Sequence, residues 1–292
     1  MLWIIFAGAA ALLDAAYYLL VKRYVGDTDA GGLAAGTFLT AGLLLLAIAA
    51  VRGIPPVGEG FLPAVALSAG VNTVAAALYL RAFRTTDISL AVPMLAFTPL
   101  FLVVTSSLML REGPTAAGLA GIACIAFGVY VLNLSGEGTG ILDPFRKIRS
   151  DPGIVAMLGV AFLFSIGANA DKLALQNSDP VLGTGCILLA MGVLFAGMTR
   201  IRNARTGRAA PLPLGASLLT GSVLAASAVA VNLALAVQIV PYVIAMKRLS
   251  ILITVIYAGR LLGEGDPAAR ISGAVLMATG AAIIALLSTT PD

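Results

Sequence analysis

The sequence predicts an all-α polytopic membrane protein with ten transmembrane helices arranged as two inverted repeats of five. Three observations carry that prediction. Sixty per cent of the 292 residues are hydrophobic and 11% are charged, where a soluble domain has roughly 25% charged residues. The apolar residues gather into ten runs, each close to the roughly 20 residues that a helix needs to cross a bilayer with its backbone paired. A motif near the end of the first five runs returns near the end of the last five.

The first run, 2–21, has no basic segment ahead of it and carries Asp14 inside it, so it reads as a retained helix and not as a cleaved signal peptide. The second, 31–51, closes at the breaker "RGIPPVGEG", and the third, 61–80, leads into Arg81 and Arg84. The fourth, 88–110, contains Pro93 and Pro99, which remove helix hydrogen bonds and predict a bend. After "REGPT" comes the fifth, 115–134, built largely of small residues. The longest connection, "SGEGTGILDPFRKIRSDPG", then separates it from the sixth run, 153–173. The seventh covers 181–200, the eighth 212–237, the ninth 240–262 and the tenth, following "GEGDP", 267–287.

The internal repeat is seen most clearly in the last two runs of each half. In both, a long run ends in Leu, a Glu–Gly pair follows (Glu112 with Gly113, Glu264 with Gly265), and a proline precedes or opens a helix of small residues. A weaker match joins Lys22, ending "YYLLVK", to Lys172, ending "GANADK". Five spans per half is an odd number, so the halves enter the membrane with opposite orientation, and such repeats place a transporter's substrate site near the midplane. Lys and Arg concentrate in the connections after runs one, three, five and seven, which puts those connections in the cytoplasm and both termini outside.

These motifs resemble the drug/metabolite transporter superfamily, EamA type. The resemblance rests on "LAVPMLAFTPLF...LREGPTAAGLAGIACIAFGVYVLNL", on its counterpart ending "LLGEGDPAARISGAVLMATG", and on the lysine-ended first and sixth runs. It implies a five-helix EamA-like repeat over 1–134, a connecting loop over 135–152 and a second repeat over 153–292. It also implies secondary transport of a small molecule in the cell's inner membrane. The adjacent Lys247 and Arg248 look like the pair with which plastid triose-phosphate translocators hold a phosphate, and on that likeness they are anion ligands. Asp14 departs from the family pattern, in which a Trp often stands near the start of the motif ending in the first-run lysine.

The candidate substrate-binding residues are Lys247, Arg248, Asp14, Lys172, Asn169, Tyr79 and Asn232. Lys247 lies about 10 Å along a helix begun near residue 240, and Asp14 about 18 Å along the first, at 1.5 Å per residue. Intramembrane charges are costly, and each needs a partner or a function. Neighbouring helical positions point about 100° apart, so one of the two cations is expected to address the cavity and the other a carboxylate or carbonyl. Asp14 suits either proton binding or a fixed pairing with one of them. Asn169 and Lys172 share one helical face, although Lys172 with Asp171 equally fits a helix end at the interface. Tyr79 and Asn232 fall at matching places in runs three and eight, and Tyr79 also fits an interfacial aromatic belt.

Several functions are disfavoured. The chain has no histidine, hence no histidine triad, shuttle or metal cluster. Cys124 and Cys186 sit inside apolar runs without metal-site spacing and are expected to be buried free thiols. No phosphate-binding loop is present for ATP, and the net charge of +4 lies in short loops instead of on a nucleic-acid surface. No cofactor and no catalytic or metal residues are expected, only a small-molecule substrate and the lipid bilayer, with the chain a monomer or homodimer. Gly121, Gly128, Gly273 and Gly280 are spaced for close helix packing, within the chain or between copies. A lipid flippase and a proton-coupled amino-acid or drug exporter are the rival readings.

Overall fold

The computed structural model describes residues 2–25, 28–85, 92–133, 146, 151–207, 213–253 and 267–287. Among these the regular elements are all helices, joined by short turns and loops such as 53–60 and 111–115. The helices are α1 (Leu2–Val25), α2 (Ala30–Arg52), α3 (Phe61–Thr85), α4 (Thr98–Leu110), α5 (Ala116–Asn133), α6 (Pro152–Gln176), α7 (Pro180–Thr206), α8 (Leu214–Leu235), α9 (Val240–Lys247) and α10 (Pro267–Leu287). Six of them, α1 to α3 and α6 to α8, are long and apolar enough to cross a membrane, and shorter apolar helices cover Met94–Leu110, Ala116–Leu132 and Ile271–Leu287. Many large apolar side chains, Leu2, Leu12, Leu62, Val104 and Leu108 among them, stay exposed on the outer faces. In water such a surface would aggregate, whereas in hydrocarbon it costs nothing.

Local chemistry sets several helix starts. Asp29 accepts from the Gly32 N–H at 2.8 Å at the head of α2, and Asp179 accepts from the Leu182 N–H at 2.7 Å at the head of α7. Asp151 caps α6 through the Gly153 N–H at 2.9 Å. Each satisfies a donor that the first helical turn otherwise leaves unpaired.

Two expected spans take a more broken form. The fourth is a 3-10 turn, Val92–Phe97, that passes into α4 at Thr98. Pro99 falls in the first turn of α4, where its missing N–H would be unpaired anyway. The ninth begins at Val240 as expected, but α9 ends after eight residues at Lys247, and Arg248 forms a turn before helix resumes at Leu249. Residues 254–266, including the repeated Glu264 and Gly265, lie outside the described residues, as does most of the 135–150 connection.

The most extensive helix pairings form a pattern that maps onto itself when each helix is exchanged for the one five places along. Thus α3 packs on α6 as α8 packs on α1, and α2 packs on α8 as α7 packs on α3. The two self-related pairs, α2 with α7 and α5 with α10, are held by glycines. A Cβ at Gly42 would lie 2.5 Å from the Leu189 backbone nitrogen, and one at Gly192 would lie 2.7 Å from that of Leu39. Gly192 and Leu189 each stand 150 positions after Gly42 and Leu39, so this contact is reciprocal. Similarly, a Cβ at Gly280 would lie 2.5 Å from the Gly121 carbonyl oxygen, and one at Gly128 would lie 2.8 Å from that of Gly273. The small-residue spacing read from the sequence is therefore used inside the chain. Cys124 and Cys186 are free thiols as expected, but half-buried instead of buried, since a lipid-facing flank accepts an apolar side chain as readily as the core does.

Candidate functional site

A cavity of about 330 Å³ lies among α1, α2, α3, α4, α6, α8 and α9, so both halves of the chain contribute walls. Asp14, Tyr17 and Tyr18 reach it from α1, Asn72 from α3, and Phe164 and Asp171 from α6. Lys247 and Arg248 enter from the end of α9. Leu224 and Val231 of α8 add an apolar side. Such a mixture, mostly apolar with a few convergent charges, is what a small-ligand site needs.

The position of the two cations follows from the helix break. Because α9 ends at Lys247, both basic residues stand at a helix C-terminus, where the unpaired carbonyls and the macrodipole favour positive charge. Arg248 stands at that interruption with its dihedrals (φ −61°, ψ −16°) still in the α-region and its N–H bonded back to the Ile244 and Ala245 carbonyls. Both cations line the cavity, in place of the one predicted.

Lys247 finds its partner in Asp14, with Nζ 3.0 Å from Oδ2. Asp14 is 3% exposed, and its other oxygen accepts from the Ser227 hydroxyl on α8. The Lys247 contact is an ion pair without hydrogen-bond alignment, since Oδ2 has no hydrogen-bond partner among the described residues. Of the two roles open to Asp14 in the sequence, the counter-ion is the one whose geometry is present here. Arg248 differs. Its electrostatic neighbours are Tyr18, Asp14 and Tyr79, yet no carboxylate stands within 4 Å among the described residues, and its buried Nε has no partner there.

Four other candidates make contacts inside the protein and are absent from the cavity lining. Lys172 lies within α6, which continues to Gln176, and not at a helix end. It pairs with Glu112 and donates to the Gln238 carbonyl at 2.7 Å. The second Glu112 oxygen accepts from the Val240 N–H at 3.0 Å, so one carboxylate joins the turn after α4 to α6 and to the first turn of α9. Tyr242 strengthens that junction by accepting from the Thr115 N–H at 2.8 Å, its ring lying where any side chain on Gly118 would go. Asn169 accepts from Ser106 at 2.6 Å and donates to Thr105 at 3.0 Å, binding α6 to α4. Asn232 donates to Thr184, binding α8 to α7, while its buried Oδ1 has no partner among the described residues. Tyr79 is half-buried against the core, close enough to Tyr18 and Arg248 to interact electrostatically.

Asp171 is the charged lining residue that sequence reasoning passed over, and Tyr17, Tyr18 and Asn72 are polar ones it did not single out. Beside Lys172, Asp171 reads as part of a charged helix end. Only the pairing of α6 with α3 shows that Ser68 donates to its Oδ1, and no sequence signal announces a contact across 103 positions. No group of three or more potential metal ligands occurs among the described residues.

Residues 1–134 match the model of the EamA-like transporter family, part of the drug/metabolite transporter superfamily that the sequence motifs resemble. A solved structure described only as "Crystal structure of protein" is similar to the chain over 98% of this chain and 97% of its own, with a TM-score of 0.76 and 18% identity. At that identity the likeness concerns the fold. No curated protein matches the chain.

Proposed function

We propose that the chain is a secondary active transporter of a small organic metabolite bearing an anionic or zwitterionic group. The EamA-like match implies a membrane transporter of the drug/metabolite type. The observation that carries the substrate reading is Arg248: a guanidinium with no ion-pair partner among the described residues, on a cavity walled by helices of both halves. A planar fork of donors suits a carboxylate or phosphate. Lys247 adds a second positive charge that an incoming anion can share with Asp14.

The two halves, 1–134 and 153–292 joined by 135–152, serve as inverted repeats that rock against each other to open the site to one side at a time. Support comes from the reciprocal pairing, in which Gly42 meets Leu189 as Gly192 meets Leu39. The driving force is an ion gradient, a proton gradient or exchange, and the membrane is the cell's inner membrane. Lys172, Asn169 and Asn232 act in this reading by holding the helices that carry the site, and Tyr79 by bordering Arg248.

Reconstitution into liposomes tests the proposal. Uptake of organic acids, phosphate esters and amino acids is followed under proton, sodium and counter-substrate gradients. Saturable uptake of at least one of them, abolished by Arg248→Ala in a protein that still folds, is the expected result. Absence of flux for every compound under every gradient refutes it.

A further inference from the structure

The cavity holds four charged side chains, and they do not cancel pairwise. Asp14 and Lys247 form an ion pair. Asp171 and Arg248 remain, one on α6 and the other just beyond α9; Lys247 acts on Asp171 and Asp14 on Arg248 only from a distance, and neither has an oppositely charged group within 4 Å among the described residues. Charges of opposite sign that share a small cavity without meeting leave two separate desolvation costs. A bound molecule that presents a cation to one and an anion to the other removes both.

Asp171 is built to stay where it is. Ser68 of α3 donates to Oδ1, and Asn72 one turn later donates to the Ser68 hydroxyl at 3.1 Å. The Asn72 amide is itself seated against Gly167, where a Cβ would come within 2.7 Å of both amide heteroatoms. One carboxylate oxygen is thus fixed by α3, while the other takes no hydrogen bond among the described residues. Asp14, the other acid, is likewise fixed by a serine, Ser227, but its free side is already taken by Lys247. The two acids therefore have different roles, one neutralising a resident cation and one available to a visiting cation.

We infer that the site takes a zwitterion, whose ammonium group is received by Asp171 and whose carboxylate or other anionic group is received by Arg248. This rests on the transporter reading above and narrows it. A simple anion would satisfy Arg248 but remain opposed by Asp171 in the same low-dielectric space. A simple cation would leave Arg248 unpaired. The volume, about 330 Å³, lies at the small end of ligand cavities and matches a molecule with its two charges only a few bonds apart.

Matched probes separate the possibilities. Purified wild-type protein is titrated calorimetrically with L-leucine, L-phenylalanine and L-serine, with the 2-hydroxy acids that replace each ammonium by hydroxyl, and with the corresponding amino-acid amides. In at least one set the amino acid is expected to bind at least tenfold more tightly than both analogues. Asp171→Asn, checked for folding by thermal unfolding, should bring the amino acid down to the level of its hydroxy acid and leave the hydroxy acid unchanged. Hydroxy acids that bind wild type as tightly as the amino acids overturn the zwitterion and leave the anion reading standing. Equal weakening of both classes by Asp171→Asn overturns the role given to Asp171. If no acid of either class binds, the zwitterion falls, and the transporter reading is decided separately by the liposome flux of phosphate esters and other organic acids.

Discussion

The Glu112 carboxylate that meets the Lys172 ammonium also accepts the first N–H of α9, the helix that delivers Lys247 and Arg248 to the cavity. Lys172 is 8% exposed, so removing its partner strands a buried cation. Glu112→Ala is expected to lower stability by about 3–5 kcal/mol, the range for breaking a buried pair from one side. Replacing both members, Glu112→Gln with Lys172→Met, should recover most of that loss. A double-mutant cycle on thermal unfolding in detergent measures both numbers.

Lys247 and Asp14 call for the same logic with a different readout. Lys247→Met leaves a nearly buried carboxylate without its cation, and the single variant should be less stable than the double variant Lys247→Met with Asp14→Asn. Both should fail to transport. A double variant that is stable and transports at the wild-type rate shows the pair to be structural only.

The glycine seams give a prediction about size alone. Gly121→Ala puts a methyl 2.6 Å from Ile284 Cγ1 and 2.8 Å from the Gly280 carbonyl oxygen, and should cost about 1–3 kcal/mol through overpacking. Gly8→Ala, in α1 with nothing within 4 Å of the new methyl, should be neutral or stabilise by up to about 1 kcal/mol through helix propensity. Thermal unfolding of the two variants side by side checks the contrast.

Outside the membrane-spanning segments, Asp29 predicts a pH effect. Partial burial pushes its carboxyl up, but Arg202, which donates to both oxygens at 2.7 and 2.6 Å, and the Gly32 and Gly31 N–H groups outweigh burial and hold it below its ordinary value. A carboxyl depressed on folding stabilises fully above its unfolded pKa, and that contribution is lost as pH falls through the folded one. Wild type should therefore lose stability more steeply than Asp29→Asn below about pH 4, where a free carboxylate titrates. Arg202→Ala should shrink that difference to the part set by the Gly32 and Gly31 N–H groups and cost no more than about 1 kcal/mol at neutral pH, since the pair is partly exposed. Melting curves between pH 3 and 7 decide it.

Most of the fold was legible because the apolar runs and their Gly, Pro and charged breaks follow from what a bilayer demands of a backbone. All ten runs contain described helix, and the glycines seven apart turned out to face one another. The end of α9 was not legible. Past Pro241, which sits in the first turn of α9, nothing up to Ile253 is a helix breaker, so the interruption at Arg248 comes from tertiary context. Lys247, Arg248 and Asp14 were found because charge in oil is conspicuous at any position. Asp171 was missed for the opposite reason: next to Lys172 it looked like surface, and only the packing of α3 on α6 turned it inward.

The contact of α5 with α10 has one more consequence. At Gly121 with Gly280, and a heptad further on at Gly128 with Gly273, backbone rests on backbone with no side chain between. A slip of one residue along this seam would drive a Cβ into a carbonyl oxygen, so its register is fixed by steric exclusion. Spectroscopic labels placed across α5 and α10 should then report one constant distance in every state of the protein. That distance supplies an internal ruler against which displacement of the remaining helices can be measured.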